Sequence, residues 1–212
     1  MTKPVHDSNS QSKAKITKPS FSMDYTIEKG WLSKIEHYPS PHFSARESGQ
    51  DISLLVVHNI SLPPGQFGGD YITDLFLGKL DPTQDPYFKS ICQLQVSAHC
   101  LIRRDGQIIQ YVSFDDKAWH AGVSSFEGRD KCNDFSIGIE LEGTDIEPYT
   151  EAQYQQLVCL VQKLQESYPL IVHNQLVGHC DIAPGRKTDP GQAFNWSYFK
   201  ALLNKGNIDG TD

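Results

Sequence analysis

The sequence predicts a single α/β domain with a mixed central β-sheet flanked by helices, and three observations predict it. Residues 52–58 (Ile-Ser-Leu-Leu-Val-Val-His) and 136–142 (Ser-Ile-Gly-Ile-Glu-Leu-Glu) are short runs rich in apolar and β-branched residues, as expected of strands inside a sheet. A long helical pattern begins at Thr150. Between the two runs, Asp105-Gly106 marks a hairpin, so helices interleave with both parallel-type and antiparallel strands.

Residues 1–22 are polar, rich in Ser, Lys and Thr, and nearly free of large apolar side chains. Such a segment cannot offset the entropy lost on ordering, and a disordered tail is expected there. The folded domain is expected over residues 23–205, with a flexible end at 206–212. The run 52–58 reads as a central strand ending at His58. Residues 59–97 are punctuated by Pro63-Pro64, Gly68-Gly69, Pro82 and Pro86 and are expected to hold one or two short helices in a long functional loop. Residues 99–112 read as the hairpin, with a type I′ turn at Asp105-Gly106.

In the strand 136–142, alternation puts Gly138, Glu140 and Glu142 on one face and Ile137, Ile139 and Leu141 on the other. Thr150 is placed as an N-cap with Gln153 three residues on, a capping box. Tyr154, Leu157, Val158, Val161 and Leu164 then form an apolar stripe, and Pro169 closes the helix. Residues 171–177 lead towards His179, and a last helix is expected over 196–203. The chain has no internal repeat.

Composition limits the function classes. With 38% hydrophobic residues in 212, one core of ordinary size is available. A formal net charge of −7 argues against non-specific binding to nucleic acid, which needs a dense basic face. Five scattered cysteines (Cys92, Cys100, Cys132, Cys159, Cys180) form no CxxC pair, which speaks against a cysteine-rich zinc site and for a reducing compartment. The first 20 residues carry four lysines against one aspartate but no apolar signal core. No stretch approaches the roughly 18 apolar residues of a membrane span. A cytoplasmic, soluble monomer that binds no membrane is the expectation.

The ionisable residues at strand ends carry the chemistry. His58 and His179 each close an apolar run, and Asp189 follows His179 by ten residues. Neighbouring strand ends in an α/β sheet point into one crevice. Two imidazoles and a carboxylate would leave zinc a fourth position for water, although a histidine at a strand end is more often a hydrogen-bonded structural residue than a ligand. Glu140 lies between Ile139 and Leu141, where a charge is expensive to bury without a partner. It reads either as a satisfied structural carboxylate or as a general acid/base with a tuned pKa. Lys187, two residues before Asp189, could face a developing oxyanion or simply solvent. His120, in Ala118-Trp-His-Ala-Gly122, has an aromatic neighbour and small residues that could admit a ligand, but taken alone it reads as structural.

Five ordered blocks carry a resemblance. They are Leu55-Val-Val-His-Asn-Ile-Ser-Leu-Pro-Pro-Gly65, Val96-Ser-Ala-His-Cys-Leu-Ile-Arg-Arg-Asp-Gly106, Ala118-Trp-His-Ala-Gly-Val-Ser-Ser125, Cys132-Asn-Asp-Phe-Ser-Ile-Gly-Ile-Glu-Leu-Glu-Gly143 and Gly178-His-Cys-Asp-Ile-Ala-Pro-Gly-Arg-Lys-Thr-Asp-Pro-Gly191. Over residues 30–203 the chain resembles the zinc N-acetylmuramoyl-L-alanine amidases, which share a fold with peptidoglycan recognition proteins and T7 lysozyme. The resemblance implies zinc held by His58, His179 and Asp189, with Glu140 and Lys187 as catalytic residues. It also implies substrate contacts at Asn59, His120 and positions 95 and 131. Arginines are expected at those last two positions, and this chain has Gln95 and Lys131. Lys131 keeps the charge without the guanidinium fork, and Gln95 keeps neither. The implied substrate is a muropeptide, (1,6-anhydro-)N-acetylmuramic acid joined to L-alanine. The implied setting is peptidoglycan recycling, which lowers the level of fragments that induce β-lactamase.

Three other readings fit the residues less well. A binding module without turnover would lack a metal ligand, and all three are present. Thiol catalysis by Cys180 or Cys100 would need each to meet its neighbouring histidine, which alternation along a strand forbids. A structural zinc usually takes four Cys or His ligands.

Overall fold

The structure, a computed structural model, describes residues 25–49 and 51–206. The tail expected over 1–22 and the end beyond 206 lie outside the described residues. Four short strands come first: β1 (Ile27–Glu28), β2 (Trp31–Leu32), β3 (Glu36–His37) and β4 (Phe43–Ala45). The long strand β5 (Leu54–Ile60) is followed by two short helices, α1 (Tyr71–Phe76) and α2 (Phe88–Ile91). The hairpin β6 (Cys100–Ile102) and β7 (Ile108–Gln110) leads to β8 (Asp116–Ala118), β9 (Ser125–Phe126) and β10 (Arg129–Asp130). Next come β11 (Ser136–Glu142), α3 (Glu151–Ser167), β12 (Leu176–Gly178), the single turn α4 (His179–Ile182) and α5 (Trp196–Gly206).

Six strands form the central sheet in the order β12-β5-β11-β6-β7-β3. Pairing is parallel except between β6 and β7, so the sheet is mixed. β5 and β11 form a seven-residue parallel ladder that sets Glu140 beside His58. The strand expected to stop at His58 continues to Ile60, because Leu141 and Glu142 of β11 pair with Asn59 and Ile60.

Alternation along these strands sorts the side chains. Leu55 and Val57 of β5 join Ile137, Ile139 and Leu141 of β11 in one apolar cluster, covered by Leu157, Leu160, Val161 and Leu164 of α3 and by Phe199 and Leu203 of α5. On the opposite face, α1 and α2 supply Ile72, Leu75, Phe76 and Phe88, which pack on Leu101 and Ile109. Leu54 and Val56 meet Ala121, Phe135 and Ile182. That second face is left incompletely covered, and His58 of β5 with Ser136, Glu140 and Glu142 of β11 point to it.

Local chemistry matches the elements. The capping box of α3 is formed: Thr150 Oγ1 accepts from the Gln153 N–H at 3.1 Å and Gln153 Oε1 accepts from the Thr150 N–H at 3.1 Å. The hairpin turn differs from the type I′ expectation, which needs positive φ at both central residues. Gly106 has φ +91° and Asp105 does not share that sign. The Arg103 N–H donates to Gln107 O and the Gly106 N–H to Arg103 O, both at 2.9 Å, giving a three-residue loop with a left-handed glycine. The Asp105 carboxylate secures it by accepting from the Gln107 N–H at 2.9 Å.

Candidate metal centre and active site

His58 shares its face of β5 with Leu54 and Val56, and β12 delivers His179 beside it. His179 is not the last strand residue but the first of α4, so the chain turns at the point where the ring is needed. Asp189 returns ten residues later. Its carbonyl accepts from the Cys180 N–H at 2.9 Å, and the next carbonyl, Pro190 O, accepts from the Tyr149 hydroxyl at 2.8 Å. Gly191, at φ +76°, passes so close to the loop that a Cβ there would lie 2.1 Å from Asp145 Cα. The loop carrying Asp189 is thereby held from both sides.

These elements bring His58 Nδ1, His179 Nδ1 and Asp189 Oδ2 to mutual separations of 3.0 Å. Among the described residues, this is the cluster of ligand-type side chains whose donor atoms all lie within 4.8 Å of one another. Donors around a tetrahedral zinc with bonds of 2.0–2.1 Å would stand about 3.3–3.4 Å apart, so the triangle needs only slight opening. Each imidazole has its other nitrogen engaged: His58 Nε2 lies 2.9 Å from His120 Nδ1, and His179 Nε2 lies 3.1 Å from the Ala121 carbonyl. A metal-ligating histidine is oriented in this manner.

Electrostatics agree with a cation position. Burial is the main cause that lowers the His58 pKa to about 4, against the pull of Asp189, so the ring is neutral and offers a lone pair at neutral pH. Burial raises the Asp189 carboxyl, but hydrogen bonds with His179 and His58 outweigh it and hold the group well below the usual carboxylate range. Glu140 behaves oppositely. Burial, and then the nearby Asp189 charge, push its carboxyl well above the ordinary value, with Lys187 acting in the other direction. Its Oε2 is buried without a hydrogen-bond partner. An orphaned acceptor beside three converging ligand atoms fits a centre that binds a cation and a polar reactant.

A groove of about 380 Å³ opens over this cluster. Its lining includes His58, Glu140, His179, Lys187 and Asp189 together with the apolar Leu62, Pro64, Leu75, Phe76 and Trp119. Asn59 and His120 also line it, but both are occupied. Asn59 Nδ2 donates to Asp145 Oδ1 at 2.9 Å, and His120 spans His58 and Ser136 Oγ. Gln95 and Lys131 are exposed and are absent from the groove lining, although Leu94 and Val96, either side of Gln95, belong to it. The structure thus gathers His58, His179, Asp189, Glu140 and Lys187, adds Asn59 and His120 to the same lining, and leaves Gln95 and Lys131 outside.

The thiols stand apart from this chemistry. Burial raises the Cys100 and Cys180 thiols, and the rings of His99 and His179 have other partners. His179 and Cys180 lie in a helical turn, so strand alternation does not apply to them; the occupied ring does.

Several contributors escaped the sequence reading. Arg46 donates to the carbonyls of Asn133, Asp134 and Ser136 at 3.0, 2.9 and 2.8 Å, bracing the approach to β11. Asn133 Oδ1 accepts from the N–H groups of His120 and Ala121. Arg186 grips the carbonyls of Ala121 and Val123 at 2.6 and 2.7 Å. Gly138 leaves room for His120, since a Cβ there would stand 2.4 Å from His120 Cγ. That glycine did carry a signal, because a glycine inside a strand marks a close approach.

Comparison with known proteins points to one family. A family model described as N-acetylmuramoyl-L-alanine amidase matches residues 48–192. The 1,6-anhydro-N-acetylmuramyl-L-alanine amidase AmpD of Citrobacter freundii is 60% identical over 177 residues, covering 84% of this chain and 94% of its own length. AmpD of Escherichia coli (strain K12) is 59% identical over 179 residues, covering 84% and 97%. A crystal structure of a selenomethionine derivative of AmpD superposes with a TM-score of 0.81 at 60% identity, over 84% of this chain and 98% of that one. Matched along most of its length, with two histidines and an aspartate converging beside a buried glutamate, the chain belongs to the N-acetylmuramoyl-L-alanine amidase family.

Proposed function

We propose that the chain is a zinc-dependent amidase that cuts free muropeptides between 1,6-anhydro-N-acetylmuramic acid and L-alanine. The observation that carries this is the convergence of His58 Nδ1, His179 Nδ1 and Asp189 Oδ2 at 3.0 Å beside the partnerless Oε2 of Glu140. The anhydro sugar is inferred from relatives about 60% identical that bear that name. In this reading the chain works as a cytoplasmic monomer in peptidoglycan recycling and lowers the level of fragments that induce β-lactamase. No helix among the described residues is long and apolar enough to cross a membrane.

His58, His179 and Asp189 would hold the zinc, which when bound supplies Lewis acidity towards water and towards a carbonyl oxygen. The protein's own groups perform the rest. Glu140 takes a proton from the water that attacks the lactyl carbonyl. Lys187, which lines the same groove, faces the negative charge that builds on the carbonyl oxygen. As the C–N bond breaks, Glu140 returns its proton to the L-alanine nitrogen, which cannot leave as an amide anion. A carboxyl with a raised pKa suits both directions of transfer. The apolar part of the groove lining seats the sugar, Asn59 lies near the bound substrate, and stem-peptide contacts fall to Gln95 and Lys131, outside the groove lining.

The test is release of free stem peptide from 1,6-anhydromuramyl-tripeptide by as-purified, chelator-treated and zinc-restored protein. Activity lost on chelation and regained with zinc is expected. Cleavage that survives complete metal removal overturns the metal role. Zinc-loaded protein that binds the muropeptide without cutting it replaces the enzyme with a recognition module.

A further inference from the structure

We propose that the segment His120–Ala121 sets the tautomers of both ligand histidines, with the His120 ring acting as a positioning residue for His58 rather than as a substrate contact. The inference rests on the metal-centre reading above. A neutral imidazole carries one N–H, and only its bare nitrogen can bind a metal. For His58 the bare nitrogen must be Nδ1, yet Asp189 Oδ2 lies 3.0 Å from that atom and attracts a proton there. An acceptor at the other nitrogen is needed as a counterweight. His120 Nδ1, 2.9 Å from His58 Nε2, is that acceptor.

His120 can accept at Nδ1 only if its own proton sits on Nε2, and there Ser136 Oγ lies 3.1 Å away. The chain of donation runs His58 Nε2–H to His120 Nδ1, then His120 Nε2–H to Ser136 Oγ. Its geometry is fixed independently of any ligand. The His120 and Ala121 N–H groups both donate to Asn133 Oδ1, at 3.1 and 2.8 Å. The ring packs over Gly138, where no Cβ fits. Ser136, Gly138 and Glu140 are alternate residues of β11 and share a face, so one strand carries the seat of the relay and the acid/base.

His179 meets the same requirement by a simpler route. Its Nε2 faces the Ala121 carbonyl at 3.1 Å, which can only accept, so the N–H is fixed on Nε2 and Nδ1 is bare. Arg186 holds that carbonyl in place. Two consecutive residues therefore serve the two ligands, one with a side chain and the other with its backbone.

The experiment measures the zinc dissociation constant by competition with a chromogenic chelator for the unaltered protein, His120→Ala and His120→Asn. We expect His120→Ala to weaken zinc binding about 10- to 100-fold. His120→Asn, whose Oδ1 can accept where Nδ1 did, should recover most of that loss, and KM of the zinc-saturated variants should stay near the original. Unchanged zinc affinity with a raised KM in His120→Ala would make His120 a substrate contact and overturn the proposal. Equal weakening in both variants would reduce its role to packing and overturn it too. Nitrogen-15 spectra of the unaltered, zinc-loaded protein provide a test that needs no variant to fold: N–H on Nε2 of His58, His120 and His179 is expected, and a proton on His120 Nδ1 refutes the relay. Failure of the unaltered protein to bind zinc would instead sink the metal-centre reading itself.

Discussion

The two faces of the central sheet are built by the same strands and do opposite things. Towards α3 and α5, β5 and β11 present Leu55, Val57, Ile137, Ile139 and Leu141, all buried. Towards the groove, the intervening positions present His58, Gly138 and Glu140. A period of two thus separates stability from chemistry one residue at a time. The helix face gains its stability from area removed from water. The groove face must satisfy each polar atom individually, and it does so for both histidines while leaving Glu140 Oε2 without a partner.

Substitutions on each face should break that division in different currencies. The largest effect is expected from Glu140→Gln, which should lower turnover by about 10²- to 10⁴-fold while zinc still binds, as steady-state assays with metal analysis would show. The same change should stabilise the metal-free protein at pH 7. The Glu140 carboxyl is pushed up by burial and by Asp189. Above the unfolded value of about 4.3, the unfolded chain therefore loses a proton that the folded chain keeps, and stability falls as pH rises towards the folded pKa. The amide cannot ionise and so removes that pH-dependent penalty. Urea unfolding at pH 4 and pH 7 checks the sign: the variant's advantage should grow with pH, and the reverse trend would mean that Glu140 is ionised and paired in the fold.

On the helix face, Leu160→Ala should destabilise the domain by about 2–5 kcal/mol, because Leu160 is fully buried in the cluster under α3. Activity per folded, zinc-loaded molecule should be unchanged. A loss of turnover at temperatures where the variant is folded would show that the two faces are coupled. The smallest effect belongs to Thr150→Ala, which deletes one half of the capping box and should cost about 1 kcal/mol in a thermal melt without altering zinc affinity.

What the sequence made legible follows the same division. Helix α3 could be read because its cap, stripe and stop are local, and β5 and β11 because their apolar runs are continuous. The short strands β3, β4 and β8 could not, since two or three residues gain strand geometry only from partners far along the chain, as Ala45 does from Asp116. The ionisable residues of the site stood out by type and position, but their roles came from family resemblance. Their supports were hidden: Arg46 acts on carbonyls about ninety residues away, and nothing near it in the chain points to them. His120 was visible, and its partners on β5 and β11 were not, because both of its ring hydrogen bonds reach strands distant along the chain.

The seven-rung pairing of β5 with β11 works as a ruler between the position of the metal ligand and that of the acid/base. Its spacing is set by main-chain hydrogen bonds, which are indifferent to what the connecting segments contain. The walls of the groove come largely from residues 61–97, a stretch that contributes no rung to this ruler. A designer could therefore recut those walls for a different sugar or peptide and leave the distance between His58 and Glu140 as it is. The scaffold is a workbench whose vice is fixed while its jaws can be exchanged.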